Sequence, residues 1–220
     1  MTTMLRPGQR MVHLPGIGVR TSRRAVSAAS GWAAWFDHFY IAKGAADLAT
    51  SYTDLVGSQT LTAGVAPSTD LSAGWIMNGS AYLKTGLQAT ATWSMLCLYS
   101  DATANDVYLC GSRGTNIEFF LYTRAFANTL RWFYGNGNKT STPNQTSGVM
   151  GLVGSTGYHN GTSLVTSIGT FTGTGVEIYI GASNNGGTPS FAGTSKIQAI
   201  GFKAGLITDV SGASTAMAAL

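Results

Sequence analysis

Apolar residues recur at every second position through most of the chain beyond residue 60. TWSMLCLYS (92–100) sets Trp93, Met95, Cys97 and Tyr99 on one face and Leu96 and Leu98 on the other. A strand that is apolar on both faces is expected in the middle of a sheet. VYLCGSR (107–113), IEFFLYTR (117–124), TLRWFYGNGN (129–138), VEIYIGAS (176–183) and SKIQAIGFKAGLITD (195–209) continue the pattern. SGVMGLVGSTGYHNGTSLVTSIG (147–169) adds further short strands. GWIMNGSAYLKTGL (74–87) places two apolar runs around Asn78-Gly79, the short-range signature of a hairpin. WFDHFYI (35–41) reads as a strand with large aromatics at alternate places.

Helical spacing is confined to GAADLATSYTDL (44–55), where Ala45, Leu48, Ala49 and Tyr52 share a face and Gly57 closes the run. A terminal helical turn is expected at STAMAAL (214–220). Turn residues arrive at nearly regular intervals between the strands. The expected fold is therefore all-β, a two-sheet antiparallel sandwich with one short helix.

Composition supports many turns and few charged sites. Of 220 residues 29 are glycine, and only 10% are charged, against roughly 25% in ordinary globular domains. The net charge of +4 is unevenly placed. Residues 1–30 carry Arg6, Arg10, Arg20, Arg23 and Arg24 and no acid, whereas the remainder holds eight bases and nine acids. With Pro-Gly at 7–8 and 15–16, residues 1–34 read as an extended basic arm ahead of one domain at 35–220.

The arm also carries Met11, Leu14 and Ile17, too apolar for a tail that stays in solvent. Arg6, Arg10, Met11, Leu14, Ile17, Arg20, Arg23 and Arg24 are thus the candidate docking residues for a partner surface. Folding back onto the chain's own domain is the alternative. No nucleic-acid-binding motif accompanies the arginines, which argues against nucleic acid as the partner. No run approaches the roughly 18 apolar residues of a membrane span, and the N-terminus lacks the apolar centre of a secretion signal.

Catalytic chemistry finds little support. Glu118 and Glu177 are the only glutamates, each alone on a strand. The paired carboxylates of glycoside hydrolysis are not expected. His13, His38 and His159 lack a nucleophile or metal-spaced partner in sequence, so no catalytic residue and no cofactor is expected. The calcium candidates are Asp101, Asn105 and Asp106 in SDATAND, helped by Asn184 and Asn185, although Asp and Asn are also ordinary turn residues.

For glycan binding, Trp132, Tyr134, Asn136 and Asn138, with Tyr158 and His159, form the best cluster, aromatics stacking on a sugar ring while amides fix hydroxyls. Alternation of Trp132 and Tyr134 on a strand equally suits one face of a sheet. Cys97 and Cys110 would face each other if 92–100 and 107–112 paired across DATAND. A disulfide there would contribute roughly 3 kcal/mol, while two buried free thiols are the ordinary alternative.

The order of these segments resembles the laminin-G-like, or concanavalin-A-like, jelly-roll family over roughly residues 36–220. GWIMNGSAYLKTGL is similar to its early hairpin, STGYHNGTSLVTS to its "Y-x-[ND]-G" hairpin, and VEIYIGAS with SKIQAIGFKAGLITD to its closing strands. More narrowly, YIAKGAADLATSYTDLVG followed by VAPSTDLSAGWIMNGSAYLKTG resembles small virion proteins of tailed bacteriophages. That resemblance implies a non-enzymatic capsid decoration, head-fibre or tail-tip component, made in the bacterial host cytoplasm and resident in the virion. Its implied partners are other virion proteins and further copies of itself. A carbohydrate-binding adhesin for host surface glycans is the alternative.

Overall fold

In the computed structural model, which describes residues 31–68, 70–103, 107–125, 129–142, 145–190 and 192–220, two β-sheets face each other across an apolar core. The first sheet holds β1 (His38–Ile41), β3 (Trp75–Asn78), β5 (Ser94–Ser100), β10 (Gly148–Val153), β11 (Thr156–His159), β12 (Thr162–Val165) and β16 (Thr194–Lys203). Its order is β1-β16-β5-β10-β11-β12, with β3 lying end to end with β1 along one edge of β16.

The second sheet holds β2 (Thr62–Val65), β4 (Tyr82–Thr90), β6 (Val107–Gly114), β7 (Ile117–Ala125), β8 (Thr129–Gly135), β9 (Gly137–Ser141), β13 (Gly173–Ile180), β14 (Ser183–Asn185) and β15 (Thr188–Ser190). Its order is β2-β4-β13-β6-β7-β8-β9. Pairing is antiparallel except where β14 runs parallel to β6. The architecture is the all-β, jelly-roll-like sandwich that the alternation predicts.

Between the sheets lie Trp75, Met95, Cys97, Tyr99, Phe119, Trp132 and Ile200, all fully buried. β5 is central, flanked by β16 and β10, and its second face is buried as well. There Leu96 and Leu98 pack with Trp32, Phe36, Phe39 and helix α2 (Val210–Ala218), which contributes Val210, Ala213 and Met217. The first sheet is thereby covered on both sides, which is why its central strand needs no polar face. A third cluster (Tyr108, Phe120, Tyr122, Ala125 and Phe133) gathers aromatics of β6, β7 and β8 separately from the main core.

Several expectations need correction. The runs around Asn78-Gly79 do not pair with each other: β3 joins β16 in one sheet and β4 joins β2 and β13 in the other. Asn78 Oδ1 accepts from Ser80 N, Ser80 Oγ and Ala81 N at 2.9–3.1 Å, and Gly79 takes φ +86°. The local turn chemistry is as expected, but it carries the chain between sheets, with Trp75 and Met77 in register with Ile197 and Ser195 of β16.

β5 and β6 likewise belong to opposite sheets. Cys97 stands beside Met150 and Ile200, Cys110 beside Leu121 and Ile180, and both thiols are free and buried. The short helix expected at 44–55 contracts further, to α1 (Leu48–Ser51), N-capped by the Asp47 carboxylate accepting from Thr50 N at 2.7 Å. Ser51 Oγ then receives the Trp75 indole N–H at 2.9 Å, tying α1 to the core.

The strand expected at 35–41 begins only at His38. Gly31–Trp35 forms a helical turn instead, with Trp32 stacked on Phe39 at 4.1 Å between ring centroids. Trp32, counted with the arm in sequence, therefore packs with the body. The docking candidates from Arg6 to Arg24 lie outside the described residues. Among the described residues no helix is long and apolar enough to cross a membrane.

Candidate functional site

Two tight turns at one end of the second sheet enclose a polar recess. Thr115-Asn116 joins β6 to β7, and Gly135-Asn136 joins β8 to β9, with Tyr134 opposite Gly137. Arg113, Asn116, Glu118, Gly135, Asn136, Gly137 and Asn138 line a space of about 320 Å³. Arg113 and Glu118 are direct cross-strand partners in register, and Arg113 Nε donates to Glu118 Oε1 at 2.9 Å.

The far wall is held by backbone contact. Gly135 adopts φ +67°, and a side chain there would collide with the Thr170 carbonyl. A side chain at Gly137 would collide with the Ile168 carbonyl. Asn136 locks the same contact from its own side, its N–H donating to Thr170 O at 3.3 Å and its Oδ1 accepting from Thr170 N at 3.2 Å. Asn138 Oδ1 accepts from both Nε (3.1 Å) and Nη2 (2.7 Å) of Arg131, whose guanidinium also lies 4.6 Å from the Phe133 ring centroid.

Of the glycan candidates, the structure brings Asn136 and Asn138 to this recess and sends the aromatics elsewhere. Trp132 is 0% exposed, and its indole N–H crosses the core to the Gly151 carbonyl at 2.8 Å. Tyr134 is 6% exposed and packs against Phe119 and Phe171. Neither offers a ring to a sugar, because the alternation of β8 turns this face to the core. Tyr158 and His159 sit in β11 of the opposite sheet. Tyr158 is half-buried against the second cluster, and His159 is buried with Nε2 3.3 Å from the Tyr99 hydroxyl.

The described calcium candidates have other partners or lie elsewhere. Asp101 Oδ2 is paired with Lys196 Nζ at 2.6 Å, while Asn105 and Asp106 lie outside the described residues. Asn184 is buried and already holds Glu177 O and Gly187 N. Among the described residues no three His, Cys, Asp or Glu side chains approach as a metal site.

The strongest internal polar centre is Asp54. Its carboxylate accepts from His38 Nδ1 at 2.6 Å and from the N–H groups of Phe39, Val56, Gly57 and Gln59 at 3.0–3.3 Å. Burial alone would raise its pKa, but these hydrogen bonds outweigh it and hold the group below the usual carboxylate range. The arrangement fastens residues 54–59 to β1 and is structural. Glu118 and Glu177 stand on separate strands, Glu177 accepting from Gly86 N at 2.8 Å.

Arg113, Asn116 and Glu118 did not stand out in sequence as site residues. A signal was present: Arg113 and Glu118 flank the Thr115-Asn116 turn symmetrically, so a hairpin there places opposite charges directly across from each other.

No protein-family model matches the chain. No curated protein matches it either. Among solved structures, a mutant of Trypanosoma rangeli sialidase displaying trans-sialidase activity is similar at TM-score 0.60 and 11% identity, over 89% of this chain and 38% of that one. Trypanosoma rangeli sialidase bound to a difluorinated KDN is similar at TM-score 0.58 and 12% identity, over 84% of this chain and 33% of that one. The chain thus spans well under half the length of these structures, and at such identity the likeness is one of β-sandwich fold.

Proposed function

We propose that the chain is a non-enzymatic structural protein of a tailed-phage virion, with the β-sandwich displayed and the N-terminal arm docked on neighbouring subunits. The supporting observation is the division of charge along the sequence: residues 1–30 carry five arginines and no acid, while the remainder is nearly neutral, with eight bases and nine acids. The described residues from Trp32 to Leu220 build apolar clusters among themselves. Arginines interspersed with apolar residues suit docking on an acidic, partly apolar partner surface. Docking of several copies would turn weak contacts into firm attachment.

The test is co-sedimentation with virions stripped of the protein, using the full chain and a version lacking residues 1–30. Rebinding by the full chain and loss of binding by the folded truncation are expected. Equal binding by both would overturn the role of the arm. A second reading, attachment to host surface glycans, is favoured by one observation: Asn136 and Asn138 line the same polar recess.

A further inference from the structure

The recess has a chemistry that narrows what it can hold. No apolar side chain lines it, and its ionisable groups are one cation and one anion. Arg113 spends Nε on Glu118, leaving its two terminal nitrogens as donors with no partner among the described residues. Asn116 and the amide nitrogen of Asn136 likewise have no described partner, while Glu118 supplies acceptor oxygens. A free anion would meet the Glu118 carboxylate, and a cation would meet Arg113 and the amide donors. A lipid or apolar peptide would find no surface to bury against. The remaining class is a neutral ligand with closely spaced hydroxyls, each both donor and acceptor, matched by an Arg–carboxylate pair and planar amides.

The volume sits at the lower end of the roughly 300–1,000 Å³ typical of small-molecule sites, which suits a hexose ring rather than a long oligosaccharide. The walls are ready without a ligand. The Arg113–Glu118 pair is fixed by strand register, Asn138 by Arg131, and the Gly135–Gly137 tip by the Ile168–Thr170 carbonyls. Polar groups held in place by the fold lose little freedom on binding.

We infer that this recess is a binding site for a neutral hexose unit of a glycan, held through vicinal hydroxyls by Arg113 and Glu118, with Asn116 and Asn136 completing the contacts. The inference rests on the glycan-attachment reading and names its site and ligand class. Lacking an aromatic platform, a single site binds weakly, and useful attachment comes from many copies acting together.

The test is amide NMR of the full chain titrated with methyl glucoside, methyl galactoside, methyl mannoside and N-acetylglucosamine. At least one sugar is expected to shift the side-chain amides of Asn116, Asn136 and Asn138 together with the Gly135 and Gly137 N–H groups. Two variants keep the fold and weaken binding. Asn116→Gly retains the left-handed backbone at φ +58° while removing the amide, and Arg113→Lys retains the charge while removing the fork. Each should weaken binding by about five- to tenfold, the size of one lost hydrogen bond.

Binding that is unchanged in both variants, or inorganic phosphate shifting these amides where no sugar does, would overturn the inference. Sugar-induced shifts confined to another surface would sink the recess and leave the glycan reading standing. Absence of shifts anywhere would end both, without touching arm docking.

Discussion

The indole Nε1 of Trp132 donates to the carbonyl of Gly151 at 2.8 Å, joining β8 of one sheet to β10 of the other through the middle of the core. The ring has room because position 157 is glycine: a Cβ there would stand 2.6 Å from Trp132 Cδ2 and 2.7 Å from Val165 Cγ2. Gly157→Ala should destabilise by about 1–3 kcal/mol through overpacking. Trp132→Phe should lose about 1–3 kcal/mol through the lost indole hydrogen bond and the space left by the smaller ring. Their combination should be milder than the sum, since the smaller ring admits the methyl group. Urea unfolding of the four proteins checks this, and strict additivity would refute the coupling.

Asp54 makes the fold sensitive to acid. Its folded pKa lies below the ordinary 3.8, so its stabilisation is complete above that value and drains away as pH falls through the lower folded one. Asp54→Asn should cost about 1.5–3 kcal/mol near neutral pH, the scale of hydrogen bonds to a charged group. It should also flatten the acid limb below pH 4. Stability measured by denaturant at stepped pH distinguishes the two effects.

His159 adds an earlier step. Burial holds its imidazole below the usual 6.5, against a smaller opposing hydrogen bond with the Ser147 backbone. The unfolded chain therefore binds the proton first, and stability declines as pH drops from about 6.5 toward the folded value. His159→Gln should remove this slope while leaving the Asp54 limb in place. An imidazole resonance titrating at or above 6.5 in the native protein would contradict the assignment.

Burial pushes both thiols, Cys97 and Cys110, far upward. Neither should react with an aromatic disulfide reagent until denaturant is added, since the thiolate is the reactive form. Reducing agent should leave the melting temperature unchanged. Rapid labelling of the native protein would show that the core opens.

Strand positions were legible to within a few residues because alternation reports burial directly. The centrality of β5 could be read from Leu96 and Leu98, and the β11–β12 hairpin from Asn160-Gly161, whose φ values are +49° and +77°. Sheet membership was not legible. Asn78-Gly79 and the link between Cys97 and Cys110 have local chemistry that serves a hairpin or a crossing between sheets equally well, and the choice is made by distant partners such as β16. The recess was half legible: Asn136 and Asn138 stood out as turn amides, while Arg113 and Glu118 matter only once register sets them side by side. Trp132 drew attention as an aromatic beside those amides, but its neighbours across the core decide its orientation.

The seating of Gly135 and Gly137 on the Ile168–Thr170 carbonyls restricts how this surface can diversify. Exposed hairpin tips ordinarily tolerate wide replacement and serve as the natural place to vary specificity. Here the two glycines are excluded from that repertoire, since any side chain would drive two backbones apart. Under the glycan reading, change in what the recess accepts would be channelled into Asn116, Asn138 and the paired Arg113 and Glu118. A randomised library built on those positions should yield folded variants with altered preference, whereas one built on the glycines should yield mostly misfolded chains.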